Sequence, residues 1–391
     1  MSERADGGPM WWMARRVVKG AAAGALVAAG VHRAVRLWRR HKAGGARALL
    51  LSYHRATRDF EASAREGLPS MFVSAQTLQR QLEHVARTRE IVSLAEARRI
   101  LSEPPSARHR DVVAITFDDG YVDNHDIALP ILSALRIPAS FFVATGYAGT
   151  ARRFPHDRIY AALLELERRG VPAERAGLPP TLQALLTACA EVGPALTLDR
   201  LIARLPHERL LAVADALERR TGLAEAELPD EGRAMTWDEL RALDAAGMDV
   251  AAHGVSHAVL SNLPLAEARR EIEGSRDMIA ERVGRAPRHF AYPNGLYTPA
   301  VLRAVDEAGF EVGVTTEDRE NVRGADPFTL SRKVLWESST LGALGYSRAV
   351  ATCNLEGVFY ALGVAHDISG ERPDASELEP PEEASRELAA R

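Results

Sequence analysis

"ITFDDGYVDN" (Ile115–Asn124) is the stretch on which the fold turns. It continues an apolar run from Val112 and ends in two adjacent carboxylates, Asp118 and Asp119, followed by Gly120. An apolar run of this length without polar alternation reads as a strand buried on both faces, as in a parallel sheet covered by helices. Carboxylates at the tip of such a strand are costly unless a cation offsets their desolvation. Neighbouring strand residues point to opposite faces, so a turn is needed to bring both acids to one rim. Gly120 is placed to supply it.

Outward from this stretch, short β-like runs alternate with helical patterns. The strand candidates are "ALLLSY" (48–53), "DVVAITF" (111–117), "ASFFVAT" (139–145), "MDVAAH" (248–253), "HFAYP" (289–293), "EVGVTT" (311–316) and "FTLSRKVL" (328–335). Amphipathic stretches such as Thr77–Thr88, Leu129–Arg136, Trp237–Ala246, Leu265–Val283 and Pro299–Ala308 lie between them. Strands separated by helices indicate a parallel sheet with helical crossovers, and about seven such units predict an α/β fold closed as a distorted (β/α)7 barrel. Chemistry in that architecture belongs at the carboxyl ends of the strands. From about 156 to 233 the periodicity is purely helical, which predicts an α-helical insertion beside the barrel.

Composition bounds the rest. In 391 residues, 46% apolar and 26% charged content describe a globular protein, and a net charge of −4 predicts no general affinity for nucleic acid. Cys189 and Cys353 make neither a disulfide scaffold nor a zinc site and are expected to be buried small residues. Charge is unevenly spread: between Arg15 and Arg47 there are many Arg and Lys residues and no acid. That stretch contains Gly20–Val31, "GAAAGALVAAGV", bracketed by Trp11, Trp12 and Trp38. Its apolar run is short against the roughly twenty residues of a spanning helix, but suits a signal-like or interfacial segment. Residues 1–47 are therefore expected to associate with a membrane, through about 10–42, whether by spanning, cleavage or lying flat. A place in the cell envelope, anchored or exported, is expected ahead of the free cytoplasm. Residues 365–391, rich in Glu, Pro and Ser, read as an acidic disordered tail. The barrel is expected to fill 48–364.

A set of ionisable residues stands at or just beyond the predicted strand ends: His54, Asp118, Asp119, His253 and His257, with Tyr292, Pro293, Asn294 and Gly295 after another strand. An Asp-Asp-Gly alone is commonly a turn, and a lone His-x₃-His is commonly accidental. Their order at successive strand ends is what points to a site. One Asp with two His suits Zn²⁺, Co²⁺, Ni²⁺ or Fe²⁺. His84, His109, His125, His207 and His366 fall in helical or loop contexts and read as structural.

With those residues in view, the chain resembles the polysaccharide deacetylases with a NodB-homology domain, carbohydrate esterase family four, over about Ala48–Leu335. "TFDDGY" (116–121) looks like the family's first motif; the likeness makes Asp118 the general base and Asp119 a metal ligand. "HGVSH" (253–257) is similar to the second, with His253 and His257 as the other ligands. Gly254 stands where Ser or Thr is usual, so Ser256 is expected to brace the loop. "FAYPNG" (290–295) looks like a third motif, implying that Tyr292 lines the site and offers a backbone N–H to the oxyanion, with Pro293 and Asn294 beside it. "MTWDELRAL" (235–243) is also typical; Trp237 joins the substrate-binding candidates, and Thr236 with Glu239 predicts a capping box. Where many members carry Leu-x-His, this chain reads "LSRKV" (330–334), so Arg332 becomes a candidate for orienting Asp118. "LSYHRAT" (51–57) resembles the early motif of the poly-N-acetylglucosamine deacetylase branch and makes His54 the candidate general acid.

The resemblance implies a hydrolase that uses one divalent metal, zinc foremost, and no organic cofactor. It would remove N-acetyl groups from an N-acetylhexosamine-containing polysaccharide or oligosaccharide and release acetate. An O-acetyl polysaccharide esterase, a non-catalytic carbohydrate-binding protein on the same fold, and a metal-independent membrane adaptor are the competing readings. The glycan, the protein partners and the oligomeric state are not specified by the sequence.

Overall fold

The computed structural model describes residues 9–103, 110–171, 183, 186, 193–223 and 232–363. Cys189, His109, His366, the acidic tail and most of "LQALLTACAEV" in the insertion lie outside them. Seven parallel strands form the frame: β1 (Arg47–Tyr53), β2 (Asp111–Phe117), β3 (Ala139–Val143), β4 (Asp249–Ala252), β5 (His289–Ala291), β6 (Val312–Val314) and β7 (Arg332–Val334). They pair in chain order from β1 to β6. The ring is completed by the last segment. On one side β7 pairs with β1, Leu50 opposite Arg332; on the other, Leu330 bridges in parallel to Val314.

Alternation along the strands builds two apolar layers. Leu50, Ala114, Phe142, Ala251, Ala291 and Leu330 belong to one cluster, small and large residues filling the inside of the ring. Their neighbours Leu51, Ile115, Phe141, Val250 and Phe290 belong to a second cluster with the covering helices. These helices are α3 (Ala75–Thr88), α4 (Leu94–Ser102), α5 (Leu129–Leu135), α9 (Trp237–Ala245), α10 (Leu265–Val283) and α11 (Pro299–Glu307). The outer layer receives Leu78 and Leu82 of α3, Leu240 and Leu243 of α9, and Ile272 and Ile279 of α10. Leu94, Ala97 and Ile100 of α4 join the inner cluster instead. Each of the leucines and isoleucines contributes about 1.5–3 kcal/mol of burial. The predicted capping box is present at α9, Thr236 accepting from the Glu239 N–H and Glu239 from that of Thr236.

Between β3 and β4 the helices α6 (Pro155–Arg168), α7 (Pro194–Arg204) and α8 (His207–Thr221) share a separate core that includes Ile159, Leu163, Leu198, Leu201, Val213 and Leu217. Buried Arg158 of α6 ties that helix to α8 through Asp215 and Glu218, both at 2.6 Å.

The basic N-terminal stretch forms a helical hairpin, α1 (Pro9–Ala28) and α2 (Val31–Ala43). Part of its apolar run packs on protein: Ala23 is buried with Val350 and Cys353 of α12 (Arg348–Leu355) and with Val358. Cys353 is the buried small residue the sequence suggests. Arg36 and Arg89 converge on buried Glu356, and Arg39 pairs with Glu320. Among the described residues no helix is long and apolar enough to cross a membrane.

Candidate active site and metal centre

Period-two alternation selects the residues that reach the inside of the rim. Leu50, Ala114, Ala251 and Leu330 face inward; two or four positions later on the same side come His54, Asp118, His253 and Arg332. Asp119 needs a special turn to join them. It adopts a left-handed backbone itself (φ 70°), followed by Gly120 (φ 85°), so the turn the sequence assigns to Gly120 is shared by both residues. A non-glycine residue in that conformation is uncommon, and Asp is among those that tolerate it. His257 (φ 60°) is likewise left-handed.

The structure brings Asp119, His253 and His257 together. One ligand atom of each lies within 4.8 Å of the others. Asp119 Oδ1 is 3.1 Å from His257 Nε2 and 3.5 Å from His253 Nε2, yet it is buried without a hydrogen-bond partner. His253 Nδ1 lies 2.7 Å from the Ala291 carbonyl, which can only accept, so Nδ1 carries the proton and Nε2 presents a lone pair. Burial opposes charge on Asp119, but His257 and His253 beside it hold its pKa well below the carboxylate range. Burial opposes charge on His257 as well, and Asp119 outweighs it and raises that pKa. A divalent cation would take the place of that proton, because a carboxylate and two imidazole nitrogens directed at one point form a borderline donor set. The residues fit a zinc-type ion.

Asp118 is held differently. Arg332, wholly buried, reaches Asp118 Oδ1 with Nη1 at 2.6 Å and Oδ2 with Nη2 at 2.7 Å. The guanidinium also donates to the Thr315 carbonyl (2.9 Å) and to Thr116 Oγ1 (3.1 Å), which fixes its plane. Ser52 Oγ approaches Asp118 Oδ2 at 3.3 Å. Burial would raise the Asp118 pKa; the charge and hydrogen bonds of Arg332 overcome it and lower it. His54 Nε2 stands 4.0 Å from Asp118 Oδ2, and burial lowers its pKa below the usual imidazole value.

Two features escape the sequence reading. Glu271 of α10 receives the N–H groups of Val255 and Ser256 on Oε2, both at 2.8 Å, and the Ser256 hydroxyl on Oε1 at 2.8 Å. Ser256 therefore braces the histidine loop, as expected, but onto a helix carboxylate that looks like ordinary surface charge in the sequence. His156, at the start of the insertion, stands with its ring centroid 5.4 Å from that of His257. The Tyr121 hydroxyl donates to Asp157 (2.8 Å) and so receives its 2.7 Å bond from His156 Nε2. The signal was position: this segment follows β3, whose end must also contribute to the rim.

Tyr292 departs from expectation. Its backbone N–H bonds to the Val314 carbonyl at 3.2 Å, its hydroxyl donates to the Phe328 carbonyl at 3.0 Å, and its ring lies in the outer apolar layer. Ala291 faces inward, so alternation turns Tyr292 away, and it has no free N–H for an oxyanion. Buried Pro293 lies against the Gly254 turn, and Asn294, itself left-handed at φ 57°, accepts at its carbonyl from Thr316 Oγ1. Trp237 packs half-buried on the core, its ring against Gly149.

Residues 106–313 match the family model described as polysaccharide deacetylase. A 98-residue stretch is 24% identical to YxkH of Bacillus subtilis (strain 168), covering 25% of this chain and only 35% of that relative's length. IcaB from Ammonifex degensii is similar in structure with a TM-score of 0.50 at 17% identity, over 80% of this chain and 99% of its own. The Streptococcus pyogenes deacetylase PplD, in complex with acetate, gives 0.48 at 18% identity over 75% and 94%. The likeness to IcaB bears on the fold, a curled parallel sheet with covering helices.

Proposed function

The chain belongs to the polysaccharide deacetylase family, and from that premise we propose that it hydrolyses the N-acetyl amide of an N-acetylhexosamine-containing polysaccharide or oligosaccharide, releasing acetate with the help of one divalent metal ion. The observation that carries the reading is the pairing of two differently held carboxylates on adjacent positions. Asp119 faces two imidazoles, while Asp118 is locked by Arg332 and directed to the same rim.

Asp119, His253 and His257 would hold the ion, zinc foremost. A bound divalent cation supplies Lewis acidity to the attacking water and to the amide carbonyl. Asp118 takes the proton of that water. The Arg332 clamp keeps it ionised and aimed, and a carboxylate retains lone pairs beyond those the guanidinium uses. The leaving amine must depart protonated. Burial disfavours the charged imidazole of His54, so it begins as an acceptor, and its Nε2 stands 4.0 Å from Asp118 Oδ2, a gap that the proton collected by Asp118 crosses through one water. Water thus loses a proton to Asp118, Asp118 passes it to His54, and His54 delivers it to the sugar nitrogen as the C–N bond breaks. The products are acetate and the free amine.

The test is acetate release from N-acetylglucosamine oligomers and from acetylxylan, with and without chelator. Release from the amide substrate alone, abolished by chelator, is expected. Release only from the ester, or indifference to chelator, overturns the reading. Asp118→Asn should retain metal and lose turnover by at least about 10²-fold; Asp119→Ala should lose both.

A further inference from the structure

We propose that the N-terminal helical hairpin is a docking surface for an anionic phospholipid bilayer, on which the protein lies without crossing it. Among the described residues nine large apolar side chains are exposed, and seven sit on this hairpin or on segments packed against it. Val17 and Val18 project from α1, and Leu37 and Trp38, 64% and 57% exposed, from α2. Leu344 belongs to the turn of a short β-hairpin whose Gly342 packs against Gly20 of α1. Tyr360 and Leu362 follow Val358, which shares the cluster of the hairpin. A concentration of this kind marks an interaction site, whereas scattered exposed apolar residues do not.

The charge identifies the occupant. Arg36 and Arg39 turn towards the barrel and are paired there with Glu356 and Glu320. Arg16, Arg33 and Lys42 are exposed beside the apolar residues, and no acid occurs between Arg15 and Arg47. Lys42 Nζ stands 5.3 Å from the ring centroid of Trp38, aromatic and cation presented together. An apolar face rimmed by cations matches a leaflet whose headgroups are negative and whose interior is hydrocarbon. A second copy of this chain would bring the same uncompensated positive charge to a symmetric contact, which argues against self-association. α2 ends four residues before β1 begins, and Arg39 is joined to Glu320, next to the Asn321 that pairs with Ala48 at the amino end of β1. The end of α2 therefore bears on the amino end of the barrel, opposite the catalytic rim, while α1 runs beside the segment that follows β7, where Lys19 donates to the Ser338 carbonyl.

Co-sedimentation of the full chain with vesicles tests this directly. Binding to phosphatidylglycerol–phosphatidylcholine vesicles should exceed binding to pure phosphatidylcholine by about tenfold or more and fall steeply with added salt. The double variant Leu37→Glu, Trp38→Glu should lose that binding, with circular dichroism and acetate release unchanged, because both side chains are exposed and remote from the rim. Equal binding to neutral and charged vesicles, or no binding by the wild-type chain, overturns the proposal. So does undiminished binding by the variant, or a dimer without vesicle binding that the variant dissolves.

Discussion

Arg332 is the residue on which the site depends most. A guanidinium with no solvent exposure is tolerated because it is satisfied at every turn, by Asp118, Thr116 and the Thr315 carbonyl, and because Phe142 lies beneath it with its ring centroid 5.3 Å from Cζ. Replacing it by Leu leaves a buried carboxylate without its counter-ion, a change that costs about 3–5 kcal/mol. Urea unfolding of Arg332→Leu should show a loss of that order. The double variant Arg332→Leu, Asp118→Asn should recover part of it, since the orphaned charge is gone; full additivity in this cycle would mean the two side chains do not depend on each other. The sequence offered half of this: an arginine stood where a histidine was expected. That it grips Asp118 through two parallel bonds could not be read, since the residues are 214 positions apart. Tyr292 was misread for the same kind of reason, its N–H being spent on a strand distant in sequence.

At the scale of elements, the first six strands were legible because they are apolar on both faces, whereas β7 is Arg332, Lys333 and Val334, and Leu265–Val283 coincides with its predicted helix. Alternation held more than was taken from it. The inward parity of Ala291 already implied that Tyr292 looks outward. Hidden altogether was the link from α10 to the histidine loop, since Glu271 is one acid among many on a polar helix face. Three hydrogen bonds accepted by one carboxylate hold Val255 and Ser256, and through them set the backbone from which His253 and His257 project. Glu271→Gln should therefore weaken metal binding by about 10–100-fold, the range for groups that support ligands without touching the ion. The melting temperature should move little, because the side chain is only partly buried. Titration against a competing chelator measures the first and thermal unfolding the second. Ser256→Ala, which removes one bond of the three, should fall between wild type and Glu271→Gln.

For the whole molecule, the hairpin and barrel are joined by a charge network with a defined response to acid. Burial would raise the Glu356 pKa, but its bond to Arg36 and the charges of Arg89, Arg36 and Arg47 lower it below the value of an unfolded chain. A carboxylate lowered on folding stabilises the native state fully above its unfolded pKa of about 4.3, and that contribution is lost as pH falls through the folded value. Thermal unfolding should thus be insensitive to this group from neutrality down to about pH 5 and decline below the unfolded pKa; Glu356→Gln should remove its share of the decline. The barrel's closing order carries a consequence for synthesis. His54, both aspartates, His253 and His257 leave the ribosome well before the segment that bears Arg332. A nascent or prematurely terminated polypeptide therefore holds every acid and base proposed for the reaction but lacks the guanidinium that clamps Asp118. The proposed site is complete only when the final stave seals the ring, so an incomplete product should release no acetate.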